Sequence, residues 1–176
     1  MTDAYIALGS NLGGRLGYLQ RAVDALVALP GTQVLAISQV YETDPVGCAA
    51  QGAFLNAAAG VRTELSVRAL LGACLGIEAA LGRRREAALG PRVIDLDLLE
   101  YGDTRCGSAE LILPHPRMME RAFVLRPLCD ICPRADWTDA LAALDQDGVR
   151  AFGGALRLPD GGEKSGDEFA PLLPYR

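Results

Sequence analysis

The sequence predicts an α+β fold with the ferredoxin-like order β-α-β-β-α-β, a largely antiparallel sheet and C-terminal additions. Three observations predict it. Short apolar runs that end in turn-forming residues indicate strands, and two longer segments with apolar residues three and four positions apart indicate helices between them. The length of 176 residues suits one domain, and half of the residues are hydrophobic, which excludes a wholly disordered chain.

The first half of this order is a strand, a helix and a second strand. Residues 4–10 are apolar and run into a turn rich in glycine, which is typical of a buried strand. Apolar residues recur with helical spacing over 16–27, and Pro30 with Gly31 ends that helix. Residues 33–41 are rich in β-branched side chains, so we expect a strand there, followed by a long loop.

The second half is a strand, a helix and a strand. Residues 54–62 alternate as a strand, although their alanines leave a helix open. Ser66 is a suitable N-cap for a helix over 67–81, and Gly82 closes that helix. Residues 92–99 form the clearest strand of the chain because apolar and polar side chains alternate within it.

Smaller elements are expected after these strands. We expect, in order, an edge strand, a helix broken by Pro127 and a short helix, over 111–113, 117–131 and 138–144. From residue 145 the chain is rich in Gly, Pro and Asp, and we expect it to be loosely held. The sequence therefore predicts a core over 1–133 and an extension of the same domain over 134–176.

Charge and composition narrow the class of partner. Seventeen Lys and Arg residues against 22 Asp and Glu residues leave a net charge of −5, which disfavours a nucleic-acid partner. No apolar run approaches the roughly 20 residues of a membrane span, and the N-terminus has no signal-peptide pattern. We expect a soluble cytoplasmic protein, a monomer, that binds small molecules. The five cysteines are expected to be reduced thiols.

Asp95 and Asp97 are the strongest local signal for chemistry. They lie two positions apart in a predicted strand, so both carboxylates leave the same face of the sheet. Neighbouring carboxylates repel each other unless a cation lies between them, and hard oxygen ligands of this kind suit Mg²⁺, of which two ions could share the pair. A pair that merely keeps an exposed face soluble is the alternative.

Arginines cluster beside this pair. Arg83, Arg84 and Arg85 follow the glycine that closes the second helix, and Arg92 lies three residues before Asp95. Guanidinium groups beside metal-ligating carboxylates indicate a polyphosphate site, because arginine binds phosphate with paired donors. A solvated basic turn is the alternative. No P-loop is present, which excludes a P-loop NTPase.

Other reactive residues carry weaker signals. His115, the only histidine, lies between two prolines, where a structural role is more common than a catalytic one, and a histidine metal site is excluded. Cys129 and Cys132 have redox spacing but lack the strand-to-helix context of a thioredoxin-like site. No serine lies in a nucleophile motif, so nucleophilic catalysis has no support.

Six segments together form a more specific pattern. They are AYIALGSNLGGR at 4–15, VYETDPVG at 40–47, FLNAA at 54–58, IEAALGRRR at 77–85, GPRVIDLDLL at 90–99 and LPHPRMMERAFVLRPLCDICP at 113–133. In their order and spacing they resemble the 6-hydroxymethyl-7,8-dihydropterin pyrophosphokinase family of folate biosynthesis. The GPR-x-x-DLDLL and HPRM-x-x-R-x-F elements are specific in combination.

The resemblance implies an α+β enzyme. Members of this family move the βγ-diphosphoryl group of ATP, with Mg²⁺, onto the hydroxymethyl oxygen of the reduced pterin, and AMP is released. By resemblance, Asp95 and Asp97 would hold two Mg²⁺ ions, and Arg83 and Arg92 would join them in catalysis. The implied ATP contacts are Glu78, Arg83, Arg85, Arg92, His115 and Arg121.

The resemblance also implies where the pterin binds. The ring would stack between Phe54 and Phe123, and the amide of Asn56 offers the donor and the acceptor that a pterin edge requires. The implied loop contacts are Thr43, Pro45 and Val46. Ordinary core packing is the alternative for the two phenylalanines.

The sequence departs from the family pattern at a few positions. Leu89 replaces a tryptophan in the predicted lid over 82–91, Pro116 takes a position that can be aromatic, and Cys132 replaces an alanine. None of these changes removes a metal ligand. A ligand-binding or regulatory module without catalysis is the alternative function, and an RNA-recognition domain is disfavoured because its sheet would carry two carboxylates in an acidic chain.

Overall fold

The computed structural model describes residues 1–45, 51–84 and 90–158, which form eight strands, four α-helices and one 3₁₀ turn. The strands are β1 (Thr2–Ser10), β2 (Thr32–Ile37), β3 (Tyr41–Thr43), β4 (Phe54–Thr63), β5 (Asp95–Tyr101), β6 (Cys106–Gly107), β7 (Ile112–Leu113) and β8 (Val149–Ala151). The helices are α1 (Arg15–Val27), α2 (Val67–Ala80), α3 (Ala122–Ile131) and α4 (Ala135–Ala143), and the 3₁₀ turn is Met118–Glu120.

Six of the strands form one antiparallel sheet. Its order is β5-β1-β4-β3-β8, and β2 also pairs with β4. β3 pairs with the first part of β4 and β2 with the last part, so β2 and β3 together occupy the place of one interrupted strand. The predicted α+β class with a largely antiparallel sheet is confirmed.

Side chains alternate between the two faces of this sheet. On β1, Ile6 and Leu8 pack with α1 and α2 in one hydrophobic core, whereas Tyr5 packs with α3 and α4 in a second core. Trp137 of α4 lies in the second core, where its ring meets the Tyr5 ring edge-on at 5.1 Å and the Arg134 guanidinium lies 3.9 Å from its centre. Helices therefore cover both faces of the sheet.

β5 contains a bulge at Leu99. Tyr5 pairs with Glu100 and Ile6 pairs with Leu98, so Leu99 is an extra residue on β5. Leu98 packs in the core formed with α1 and α2, and Leu99 packs in the core formed with α3 and α4. An extra residue of this kind shifts the alternation of every side chain that follows it.

The predicted strand over 33–41 is divided into β2 and β3. Ser38 lies between them, and its backbone N–H donates to the carbonyl oxygen of Ala58 at 2.9 Å. The backbone N–H of Ala58 donates in return to the Ser38 hydroxyl oxygen at 2.8 Å. A side-chain oxygen thus takes the place of a backbone carbonyl in the ladder, which interrupts the strand.

The predicted strand over 92–99 begins later, at Asp95. The backbone of Arg92 pairs with Asn11 instead: Asn11 N donates to Arg92 O at 3.1 Å, and Arg92 N donates to Asn11 Oδ1 at 2.7 Å. The Ser10 hydroxyl donates to the carbonyl oxygen of Val93 at 2.7 Å. Polar side chains at the end of β1 and just after it therefore replace the strand partners that these residues would otherwise need.

The predicted helix over 117–131 breaks at Arg121, and Pro127 lies inside α3. Arg121 has an extended backbone, with φ −124° and ψ 104°, between the 3₁₀ turn and α3. Its carbonyl oxygen accepts from the backbone N–H groups of Val124 and Leu125, each at 3.0 Å, which begins a new helix. The break therefore lies at Arg121, six residues before the predicted position at Pro127.

The last elements also differ from the prediction. β7 pairs with β6 in a separate two-stranded sheet, so the expected edge strand does not extend the main sheet. The short helix begins at Ala135 instead of residue 138, since the Arg134 carbonyl accepts from the N–H of Thr138 at 2.9 Å. In the predicted tail, β8 pairs with β3, and residues 159–176 lie outside the described part. No helix in the described ranges is long and apolar enough to cross a membrane.

Candidate active site

The two carboxylates predicted to bind metal lie at the start of β5. Leu96 between them packs in the core with α1 and α2, so Asp95 and Asp97 leave the opposite face. A cleft of about 350 Å³ opens beside them, lined also by Arg83 and His115. The apolar side chains of Leu71, Leu75, Leu111 and Ile112 also line it. The lining of the cleft thus combines charged and hydrophobic side chains.

Glu78 and Arg83 form a buried network with Asp95. Glu78 is only 3% exposed although it is charged, and its Oε1 accepts from the backbone N–H of Leu96 at 2.7 Å. The Arg83 guanidinium contacts both Glu78 and Asp95, and Arg92 Nη1 contacts the second oxygen of Asp95. Glu78 therefore holds Arg83 and the backbone of β5 together at the base of the cleft.

Asp97 has a different electrostatic environment from Asp95. No hydrogen bond or ion pair joins the Asp97 side chain to another residue in the described ranges. Burial and the neighbouring Asp95 carboxylate raise the pKa of Asp97, whereas His115, Arg121 and Arg83 lower it in part. An extra cation at this position would stabilise its ionised form.

His115 and Arg121 face the same charges. The backbone N–H of Arg117 donates to His115 Nδ1 at 3.3 Å, so Nε2 carries the proton of the neutral ring. Burial lowers the pKa of His115, and the charge of Asp97 raises it in part. Burial, followed by the charge of Arg117, lowers the pKa of Arg121, whose guanidinium lies 5.6 Å from the centre of the Phe123 ring.

Three of the residues predicted to bind pterin, Thr43, Phe54 and Asn56, lie on the paired strands β3 and β4. Thr43 and Asn56 are buried, and Asn56 Nδ2 donates to Thr43 Oγ1 at 2.7 Å. Phe54 at the start of β4 and Phe123 in the first turn of α3 are partly buried, as is Pro45. Val46, Arg85 and Leu89 lie outside the described residues, as does half of the predicted lid, residues 85–89.

Gly9 connects the two groups of predicted residues. It pairs with Asn56 on one side and with Asp95 on the other. A Cβ atom at Gly9 would lie 3.0 Å from Asn56 Oδ1 and 3.9 Å from both the Asp95 Cβ and a Phe54 ring carbon. Only glycine leaves this space open. The predicted strand over 4–10 includes Gly9, but this close approach depends on strand pairing and could not be predicted from the sequence.

The match to a known family decides between the enzyme and the alternatives. Residues 5–133 match the family described as 7,8-dihydro-6-hydroxymethylpterin-pyrophosphokinase (HPPK). The chain belongs to the HPPK family. The resemblance predicted from the six motifs is therefore confirmed, and the match covers the same part of the chain as those motifs.

Two bacterial relatives of this HPPK-family chain are named 2-amino-4-hydroxy-6-hydroxymethyldihydropteridine pyrophosphokinase. The protein of Methylorubrum extorquens is 48% identical over 154 residues, which cover 85% of this chain and 98% of the relative. The protein of Bacillus subtilis is 46% identical over 149 residues, covering 85% of this chain and 89% of the relative. The similarity therefore extends over nearly the full length of both relatives.

Solved structures support the fold. A crystal structure of an HPPK-DHPS in complex with substrates superposes with a TM-score of 0.61 at 13% identity, covering 81% of this chain. The chain spans 43% of that longer protein. At this identity the likeness concerns the fold alone, and it supports the arrangement of helices on an antiparallel sheet described above.

Proposed function

We propose that this HPPK-family chain transfers the βγ-diphosphate of ATP to the hydroxymethyl oxygen of 6-hydroxymethyl-7,8-dihydropterin and releases AMP, as a step of folate biosynthesis. One observation carries the proposal. Gly9 brings Asn56 and Asp95 close together, so a pterin read by Asn56 would lie beside a phosphate chain held at Asp95 and Asp97. Transfer between two substrates requires this adjacency.

The donor set at β5 fits Mg²⁺. Mg²⁺ is commonly bound by one or two carboxylates together with substrate phosphates and water, so it needs no larger set of protein ligands. Among the described residues no group of three or more His, Cys, Asp and Glu side chains could hold a metal, whereas Asp95 and Asp97 offer two hard oxygen donors. Two bound Mg²⁺ ions would neutralise phosphate charge and orient the triphosphate.

The arginines have a role that follows from their present contacts. Arg83 and Arg92 both contact Asp95. When a triphosphate binds, its oxygens offer these guanidinium groups alternative partners, and Asp95 is released as a ligand. Arg121 supplies a further cation beside Asp97, and neutral His115 can donate from Nε2 to a phosphate oxygen. These residues position the phosphates and stabilise charge without covalent chemistry.

The pterin side is proposed to work by shape and hydrogen bonding. Phe54 and Phe123 would contact the two faces of the ring, and the Asn56 amide would read its edge. Because Asn56 Nδ2 already donates to Thr43 Oγ1 at 2.7 Å, the orientation of this amide is fixed before substrate arrives. Pro45 and Val46 remain proposed pterin contacts, and Arg85 and Glu78 remain proposed ATP contacts.

The ferredoxin-like topology of the sheet is part of the same proposal. The order β5-β1-β4 followed by the interrupted strand β2/β3 supports a ferredoxin-like arrangement, because each strand pairs antiparallel with its neighbours. We also propose that the chain acts in the cytoplasm as a monomer, with a core over 1–133 and an extension over 134–176.

The identity of the nucleotide product tests the proposed reaction. Purified protein incubated with ATP, Mg²⁺ and the hydroxymethyl dihydropterin should form AMP in step with pterin consumption, because both terminal phosphates are transferred together. Product chromatography measures this ratio. Equal amounts of ADP and a pterin monophosphate would contradict the proposal, and binding of both ligands without turnover would favour a binding module.

Substitutions of the proposed pterin contacts should distinguish the pterin pocket from the ATP pocket by their effects on binding. Asn56→Ala and Phe123→Ala should each weaken pterin binding by about tenfold or more, since a buried hydrogen bond or a stacked ring contributes about 1–2 kcal/mol. ATP affinity should change little. Calorimetric titration with each ligand measures both, and a selective loss of ATP affinity would show that the pockets are assigned the wrong way round.

A further inference from the structure

Arg15, the first residue of α1, joins two strands beside the proposed pterin pocket. Its Nη1 donates to the carbonyl oxygen of Ala53 at 2.7 Å, and its Nη2 donates to Glu42 Oε1 at 2.8 Å. Glu42 precedes Thr43 on β3, and Ala53 precedes Phe54 on β4. A single guanidinium therefore fixes the backbone next to a proposed pterin contact on each strand.

The C-terminal strap, residues 148–158, holds the same strand from its other edge. Val149 pairs with Thr43, and the backbone N–H of Asp44 donates to the carbonyl oxygen of Gly148 at 3.1 Å. The Arg150 guanidinium donates to the two carboxylate oxygens of Asp44 at 2.6 and 3.3 Å. The two neighbours of Thr43 along the chain are therefore both held by other elements: Glu42 by Arg15, and Asp44 by the strap.

The strap returns to the helix that carries Arg15. A Cβ atom on Gly154 would lie 2.8 Å from a Leu16 methyl group, so the strap runs directly against the first turn of α1. Farther along, Arg157 N donates to Gln20 Oε1 at 2.9 Å, and Gln20 Nε2 donates to the carbonyl oxygen of Arg157 at 2.7 Å. Helix α1, strand β3 and the strap therefore form a closed frame.

We propose that Arg15 is a positioning residue for the pterin substrate, and that the strap supports it from the other edge of β3. This inference rests on the proposed function. Arg15 keeps β3 and β4 at the spacing at which Asn56 bonds Thr43, so the amide that reads the ring stays oriented. The two hydrogen-bond partners of the Arg15 guanidinium, Ala53 and Glu42, are not among the proposed phosphate contacts. Its effect should therefore be selective for the pterin.

The energetics favour Arg15 as the main element of the frame. Arg15 and Glu42 are partly buried, with side chains 27% and 33% exposed, and the guanidinium bonds two strands at once. The Asp44 and Arg150 side chains are 50–61% exposed, and a pair of this kind contributes little by itself. The strap therefore supports β3 chiefly through the backbone pairing of β8 with β3.

Substitution of Arg15 tests this role because its effect on the KM for pterin can be compared with its effect on the KM for ATP. Arg15→Met keeps the aliphatic stem and should raise the KM for pterin about fivefold to tenfold, the effect expected for a lost charge-assisted hydrogen bond. The KM for ATP should stay within about twofold. Arg15→Lys retains the charge but only one donor group, and Glu42→Gln retains an acceptor, so both should give smaller increases.

A matched control is available at the far end of the same sheet. Arg62 of β4 makes a two-point ion pair with Asp3 of β1, at 2.7 and 3.1 Å. Arg62→Met removes a comparable pair away from the pocket and should leave both KM values unchanged. Hydrogen exchange should rise in peptides that span 41–45 and 51–56 for Arg15→Met, but not for Arg62→Met.

The outcomes distinguish this inference from the proposed function. If the wild type forms AMP but Arg15→Met leaves the pterin KM unchanged, or raises both KM values equally, the positioning role is wrong while the reaction stands. If the wild type forms no AMP, the proposed function fails, and unchanged exchange in the Arg15→Met peptides would then contradict the frame itself. Should Arg15→Met not fold, Glu42→Gln must still raise the pterin KM selectively.

Discussion

Asp97→Asn should lower turnover by at least about 100-fold, because it removes one of two carboxylates that would hold the charge-neutralising ions at the phosphates. The substitution keeps the size of the side chain and removes its charge. Turnover at saturating Mg²⁺ measures the effect. Asp103→Asn is a matched control, since Asp103 is an exposed carboxylate just beyond the end of the same strand. Rates near those of the wild type for Asp97→Asn would contradict the metal assignment.

The same substitution should stabilise the metal-free protein at neutral pH. Burial and Asp95 raise the pKa of Asp97, so its ionised form is less favourable in the folded protein than in the unfolded chain. The free energy of unfolding of the wild type therefore falls as the pH rises from the unfolded pKa through the higher folded one. Thermal melts without Mg²⁺ should show the advantage of Asp97→Asn above this range and its loss at acid pH.

Glu78→Ala should lower the free energy of unfolding by about 3 kcal/mol, because it removes the buried partner of a backbone donor and of an arginine. The N–H of Leu96 would lose its acceptor at 2.7 Å, and Arg83 would lose one of its two carboxylate partners. Urea unfolding measures the loss. Glu78→Gln retains an acceptor for Leu96 and should be affected clearly less. Equal stability of both variants would show that this network does not hold β5.

Local patterns predicted the central elements well. Ser66 accepts from the backbone N–H of Ala69 at 3.3 Å and caps α2, as its position before an apolar helix indicated. The side chains of Asp95 and Asp97 leave one face because strand alternation depends only on neighbours along the chain. Glu78 carried a signal as well, since a charged residue on the apolar face of a helix must find a buried partner.

Features that depend on distant partners could not be predicted in this way. The division of β2 from β3 arises because the Ser38 hydroxyl bonds Ala58, twenty residues away. The strap was expected to be loosely held because its composition resembles a disordered tail, yet β8 pairs with the edge of β3. Gly9 and Arg15 both lie in the family motif at 4–15, but they act through contacts across the sheet that neighbours along the chain do not reveal.

The bulge at Leu99 has a consequence for how the chain tolerates changes in length. Before the bulge Asp97 faces the cleft, and after it Glu100 lies on the same face, where it bonds Arg134 at 2.7 Å. Deleting Leu99 would restore strict alternation and leave Glu100 on this face, because Glu100 would then follow Leu98 directly opposite Tyr5; only the contacts of Leu99 in the core formed with α3 and α4 would be lost. Inserting one residue ahead of Asp95 would exchange the carboxylates for leucines. A one-residue change in length should therefore disturb the two carboxylates when it falls just ahead of Asp95, but not when it removes the bulge.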